Sequence, residues 1–244
     1  SLSLKSILSG GTAIDFSGGI SPEAGITGSL KSQGTDFSAL MAGLEPFGMP
    51  GLSGLRSAFL RHPYLLEGSL ALTTGYLKFD KVKLSLNENT LTGALTLDMA
   101  APVFEAVLNT TSLDLDKLWN AVPSPAIEMT GAIEYAPLAP AIAGTVRFAG
   151  NVVKFKNGTM RDVMLAASIS GGAVTLDDFS AQLPGGATAR ISGRLEYPRG
   201  RPDFSGRLDL STGNLRALLG WLDMQIAGIP DRSLSRAQLS ARLN

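Results

Sequence analysis

The sequence has no cysteine, one histidine, no excess of either charge and no apolar run long enough to cross a bilayer. Each absence removes a class of function. Without cysteine there is no disulfide framework, no thiolate nucleophile and no cysteine metal site. The lack also suits an oxidising compartment, where a stray thiol is a liability. The single histidine, His62, cannot form a histidine metal cluster, and any histidine-dependent triad would have to be built around it. Its place before Pro63 in an irregular stretch reads as a surface or structural role. Lysine plus arginine and aspartate plus glutamate number 21 each. No basic run carries interleaved aromatics, so the electrostatic footprint of a nucleic-acid binder is missing. The most apolar stretch near the end, "LRALLGWLDMQIAGI", is broken by Arg216, Asp223 and Gln225, whereas a membrane span needs roughly 20 apolar residues. No signal peptide opens the chain and residue 1 is Ser1, so the expectation is a fragment whose targeting segment lies elsewhere.

Motifs that carry chemistry are also scarce. "SGGTAIDFSGG" (9–19) lacks the Gly-Lys-Ser/Thr ending of a phosphate loop and leads to Pro22, so its glycines read as turn residues. Asp114 and Asp116 fall at a helix cap and first turn, where negative charge suits the helix dipole, and Asp177 and Asp178 read as a hairpin turn. "NTT" at Asn109 and "NGT" at Asn157 match the glycosylation pattern, but Asn157-Gly158 is more simply a hairpin turn. No catalytic residue, metal site or cofactor is expected.

What the chain does have is repetition. "AGITGSLKSQGTDFSALMAGL" from Ala24, "PVFEAVLNTTSLDLDKLWNAV" from Pro102 and "PDFSGRLDLSTGNLRALLGWL" from Pro202 align without a gap. Each reads as a strand, a turn and a short helix. Asp36, Asp114 and Asn214 stand at the helix N-caps, where a side-chain oxygen can accept from the unpaired amides of the first turn. Then come Phe37, Leu40, Met41 and Leu44; Leu115, Leu118, Trp119 and Val122; Leu215, Leu218, Leu219 and Leu222. Spacings of three and four put each set on one stripe.

Between the helices the period is two. Leu70, Leu72, Leu77, Phe79, Val82, Leu84, Leu86, Leu91, Leu95 and Leu97 alternate with Ser, Thr, Lys and Asp, as in strands with one dry and one wet face. Turn signals fall at "TTG" before Tyr76, at "FDK" around Asp80, at "NENT" from Asn87 and at "DMAAP" from Asp98. "LTGALTLDMAAPVF" matches "ISGRLEYPRGRPDF" position for position. A short helix is expected around Leu55 to Leu60, and Pro137 and Pro140 confine residues 123–144 to an edge or an irregular loop. The expected fold is mainly β: repeated antiparallel meanders forming an elongated curved sheet or groove, with short capped amphipathic helices at the unit ends. The units run 1–66, 67–122 and 123–244 in one continuous repeat architecture.

A long aliphatic dry face has two readings, the core of a closed sandwich or an open sheet that binds something oily. Three short helices could cap such a sheet but hardly cover it, and uncovered apolar surface beyond a few hundred Å² marks a binding site. Here the residues resemble a known family. "VKFKNGTMRDVMLAASISGGAVTLDDFSAQLPGGATARISGRL", "GRPDFSGRLDLSTGNLRALLGWL" and "IPDRSLSRAQLSARL" look like the C-terminal region of AsmA-family proteins of Gram-negative bacteria. The similarity is strongest from about Gly144 to the end and extends to the earlier repeats.

The resemblance implies a periplasmic β-groove, held to the inner membrane by a segment absent from this chain. Its implied work is moving phospholipid towards the outer membrane and supporting outer-membrane assembly, with partner proteins at either membrane and no enzyme activity. The family supplies no ligand residues to transfer, so the lining is read from strand alternation: Leu77, Phe79, Leu84, Leu95, Phe104, Val174, Leu176, Leu183, Ile191 and Phe204. The alternative is a non-catalytic scaffold or spacer with a closed β core. A carbohydrate-active enzyme would need paired acids at glycosidase separation, and only turn and cap aspartates are offered.

Overall fold

Alternation of branched apolar and polar residues makes thirteen strands, and three capped segments make short helices. A computed structural model describes residues 2–8, 11–23, 25–44, 62–101, 103–120, 143–196, 203–224 and 236–243. The strands are β1 (Leu2–Leu8), β2 (Thr12–Ser21), β3 (Gly25–Gly34), β4 (Tyr64–Leu72), β5 (Tyr76–Leu86), β6 (Asn89–Asp98), β7 (Val103–Asp114), β8 (Ala143–Phe155), β9 (Gly158–Ser170), β10 (Ala173–Leu183), β11 (Ala187–Glu196), β12 (Asp203–Thr212) and β13 (Ala237–Leu243). The helices are α1 (Phe37–Leu44) after β3, α2 (Leu115–Asn120) after β7 and α3 (Leu215–Trp221) after β12. The expected helix near Leu55 and the proline-rich stretch before Ala143 lie outside the described residues.

All strands join one sheet in the order of the chain, β1 to β13, and the sheet does not close. Neighbours are antiparallel except β7 and β8, which pair in parallel from Val103↔Ala143 to Asp114↔Lys154. The sheet is therefore two antiparallel meanders, as expected, joined by one parallel seam that the sequence did not reveal. A parallel partner cannot follow through a tight turn, and here α2 and residues 121–142 separate the two strands.

Two expected turns are bulges instead. Residues around Asp80 lie inside β5, where the register shifts between Phe79 and Val82 and Lys81 takes φ 53°. Asp177 and Asp178 lie inside β10, where the register shifts between Leu176 and Phe179. The extra residue bends the strand without reversing it. True reversals fall at Lys156-Asn157 (φ 49° and 57°) and Gly171-Gly172 (φ 60° and 78°), with the left-handed backbone that two-residue hairpins need.

The ends of β3, β7 and β12 lie along one margin of the sheet. Gly34 faces Tyr64, Tyr64 faces Leu86 and Leu86 faces Asn89. Farther along, Leu113 faces Val153 and Val153 faces Met160, and Leu183 faces Ala187. All three helices therefore stand at this margin, the helix rim. There Phe37, Leu40, Tyr64, Leu86, Leu113, Leu118, Val153, Met160, Val163 and Ala181 form a buried cluster, with Phe148, Phe179 and Trp221 packed on it. The Phe37 and Tyr64 rings meet edge to face at 5.3 Å.

The caps are in place. Asp36 Oδ1 accepts from Ser38 N at 2.8 Å, Asp114 Oδ1 from Lys117 N at 3.0 Å and Asn214 Oδ1 from Ala217 N at 3.0 Å. His62 is buried among these elements. Its Nε2 is 2.9 Å from the Leu118 carbonyl, which can only accept, so Nε2 donates and Nδ1 accepts from the Asn87 amide at 3.2 Å. The histidine fastens α2 to the β5–β6 turn.

The opposite face of the sheet carries most of the charge, with Ile7, Val103 and Met164 exposed among the polar residues. Lys5, Asp15, Lys31, Glu67 and Lys83 are successive cross-strand partners from β1 to β5, alternating in sign. Lys5 and Asp15 approach to 3.3 Å and Lys31 and Glu67 to 3.1 Å. Exposed pairs of this kind contribute little stability each. Their value is register, because a one-residue slip would turn the charges onto the apolar face.

Candidate functional site

Register and alternation place one apolar row across the sheet at the margin without helices, the bare rim. From β2 to β12 the partners are Ile20, Ile26, Leu72, Leu77, Leu97, Phe104, Gly144, Ile169, Val174, Leu195 and Phe204. No polar side chain interrupts it. A second row, one pleat nearer the helices, runs through Leu70, Phe79, Leu95, Ala106, Val146, Ala167, Leu176, Gly193 and Gly206. Ten strand spacings of about 4.8 Å make the first row about 48 Å long.

Most of these side chains are neither buried nor free. Leu72, Leu77, Leu95, Leu97, Phe104, Val174, Leu176 and Phe204 are all half-buried. They lean on cross-strand neighbours and keep an outward side. Among the described residues no helix or second sheet contributes to a buried cluster over them.

The ten lining residues expected from alternation thus fall into three groups. Leu77, Leu95, Phe104, Val174, Leu176, Ile191 and Phe204 belong to the open part of the face. Leu84 and Leu183 pack against the helix-rim cluster. Phe79 is buried at 7% exposure and lies on Gly68, where an added Cβ would be 2.6 Å from Phe79 Cε2.

That aromatic-on-glycine contact recurs and was not read from the sequence. A Cβ at Gly18 or Gly28 would lie 2.8 Å from Phe16 Cζ, and at Gly193 or Gly206 it would lie 2.7 or 2.9 Å from Phe204 Cζ. At Gly144 it would lie 2.6 Å from Phe104 Cε1. Each ring lies down over a neighbouring strand, covering glycine backbone and leaving the face low. Only Gly144 directly faces its ring; Gly28, Gly68 and Gly193 are diagonal neighbours that the register alone reveals, while Gly18 and Gly206 follow Phe16 and Phe204 by two residues in "FSG", a signal the sequence did offer.

Gly193→Val forces Phe204 upright and presses on Ser205 O, 2.5 Å from the new Cβ. The expected cost is about 1–3 kcal/mol, read as a lower midpoint in urea unfolding. Gly19→Ala, where nothing lies within 4 Å, should stay within about 0.5 kcal/mol of the parent.

Of the four aspartates singled out in the sequence, Asp114, Asp116 and Asp178 have structural partners. Asp116 accepts from the backbone amides of Lys156 and Asn157 at 2.7 and 2.9 Å, tying α2 to the β8–β9 turn. Asp114 also lies 3.6 Å from Lys154 Nζ, and Asp178 lies 3.7 Å from Arg190. Lys117 bonds Glu88, and that hydrogen bond with the Glu88 charge holds the lysine above its ordinary pKa. Among the described residues no group of three or more His, Asp or Glu could hold a metal ion. None of their helices is long and apolar enough to cross a membrane.

The arrangement offers solvation of hydrocarbon. One margin is closed by packed helices, the other carries no helix among the described residues, and the apolar rows run from strand to strand between them. The chain matches no protein-family model, no curated protein and no solved structure.

Proposed function

We propose that the chain binds phospholipid along this face and lets it pass from strand to strand, as the resemblance to AsmA-family proteins implies. The observation that carries the reading is the unbroken apolar row from Ile20 to Phe204, most of it half-buried. Hydrocarbon leaves water at about 25 cal/mol per Å², and a row without polar interruptions presents near-equivalent sites with no deep trap between them.

One leaflet's acyl layer is about 15 Å, half of a bilayer's roughly 30 Å hydrocarbon core. The row is about three times that length, so lipids would lie along it in file rather than singly in a pocket. Headgroups would emerge over the bare rim, because the helix rim is packed. The work is passive and needs no nucleophile or cofactor. Under the same reading the protein acts in the periplasm, between inner and outer membrane, with proteins at either membrane as donors and acceptors of lipid.

Native mass spectrometry of the chain after incubation with phosphatidylethanolamine and phosphatidylglycerol micelles is the direct test. Adducts of phospholipid mass, more than one per chain at saturation, are expected. A bare mass at every lipid ratio would defeat the proposal and favour the scaffold with a dry face.

A further inference from the structure

β7 and β8 lie side by side and run the same way, so the chain between them has to make a full return. β7 leads to α2 and Asn120 at the helix rim, while β8 starts at the bare rim, with Ala143 opposite Val103. Residues 121–142, which lie outside the described residues, must therefore carry the chain back along the length of β7, about 37 Å at about 3.4 Å per residue. The stretch from Asn120 to Ala143 can extend to about 75 Å, enough for a direct crossing with slack. It cannot make the return as a further strand between its ends, because β7 is already paired with β6 and β8, and β8 with β7 and β9. The return has to pass over one face of the sheet.

Handedness decides which face. A crossover between parallel strands of one sheet is right-handed in about 98% of cases. Leu86 belongs to the helix-rim cluster and pairs with Asn89 across a two-residue turn, so its side chain marks the apolar face while its backbone N–H and C=O point at β6. For an L-residue seen from its side chain, with the strand running upward, those backbone groups lie to the right. Viewed from the apolar face with the helix rim at the top, each strand thus stands to the right of the one before, and β8 stands right of β7. Only a return over the apolar face is then right-handed.

Three observations agree. α2, the first part of the connection, already lies on that face, with Leu118 in the buried cluster. Beneath the path the side chains are small: Ala106, Val146 and Ala167 lie beside Gly144, which is covered by the flat ring of Phe104. The other face carries the exposed Glu105 and Arg147 pair at 3.3 Å, which an apolar segment would have to desolvate. The segment is itself apolar, with Ile127, Met129, Ile133, Tyr135 and Leu138, no Lys or Arg, and Glu128 and Glu134 as its only charges.

We infer that residues 121–142 dock on the apolar face over the β7–β8 seam, from the helix rim to the bare rim. Ala106 and Val146 then meet the chain's own residues, while Leu77 on one side and Val174 on the other stay open. The inference stands on topology and does not depend on what the open parts of the face bind.

A photo-crosslinking residue, p-benzoylphenylalanine, placed at Ile133 near the middle of the segment tests this in the intact chain. After irradiation at low concentration and digestion, mass spectrometry is expected to find attachment on the apolar face of β7 and β8, among Phe104, Ala106, Val146 and Phe148. Attachment at Glu105, Val107 or Arg147, an even spread over both faces, or no attachment within the chain would overturn the inference. The absence of cysteine gives a second reading. Ala106→Cys and Val107→Cys, neighbours on opposite faces of β7, are labelled with a maleimide in the otherwise native chain and in one whose residues 121–142 are replaced by a Gly-Ser linker of equal length. The replacement is expected to speed labelling several-fold at Ala106→Cys and to leave Val107→Cys unchanged. Unchanged labelling at Ala106→Cys, or a gain at Val107→Cys in its place, would refute docking on the apolar face.

Discussion

A chain with aspartate at Leu77, Leu95, Val174 and Leu176 is expected to keep its β-sheet circular dichroism and to lose roughly a hundredfold or more in phospholipid binding. The fold should survive because these four positions are half-buried and lie outside the helix-rim cluster. Binding should fail for two reasons. Each leucine or valine removed takes away apolar surface worth about 0.8 kcal/mol per methylene covered. Each carboxylate would have to be covered by hydrocarbon without a partner, which neither group tolerates. Aspartate at Thr145 and Ser205, exposed on the polar face, is the control and should leave binding unchanged. A four-aspartate chain that folds and binds lipid like the parent would show that the apolar rows are not the site.

The second large effect concerns the helix rim. Leu118 is 1% exposed in a cluster fed by β4, β5, β7, β8, β9, β10 and α1. Leu118→Ala should destabilise the chain by about 2–5 kcal/mol, the transfer of the lost atoms plus the hole they leave. Urea unfolding would show it as a lower midpoint at similar slope. The hydrogen bond from the His62 ring to the Leu118 backbone carbonyl does not involve the leucine side chain, so it limits how far α2 can settle into the hole and keeps the cost towards the upper part of that range. A loss under 1 kcal/mol would mean that the rim is less tightly packed than its burial suggests.

Much of this architecture was legible before any coordinates. Period-two alternation named the apolar side of β4, β5, β6, β10, β11 and β12, and three ungapped copies with Asp36, Asp114 and Asn214 located the helices. The remainder depended on neighbours. Asp80 and Asp177-Asp178 looked like turns because a bulge and a turn ask for the same local chemistry: a polar residue, sometimes with left-handed backbone, between apolar runs. What separates them is whether the chain has a partner strand on both sides, as β5 and β10 do.

The parallel seam was hidden for a similar reason, since alternation tells which side a residue faces and not which strand lies beside it. Among the expected lining residues, Leu84 and Leu183 share the pattern of Leu77 and Leu176, yet stand nearer the helices and pack against them. Position along the strand, rather than residue type, divides covered leucines from open ones. His62 gave no sign of its burial because its partners, Asn87 and the Leu118 carbonyl, come from distant parts of the chain.

Strand order that follows chain order has a mechanical meaning. Each strand from β2 to β12 is held on one side by the strand before it and on the other by the strand after it, so the protein is close to one-dimensional in its energetics. Tension applied between the two ends would load the outermost pairs first and peel them in turn, rather than shear many strands at once. Damage would likewise remain where it occurred, with intact strands on either side still paired. A sheet built this way can therefore lose one strand pairing without losing those farther along.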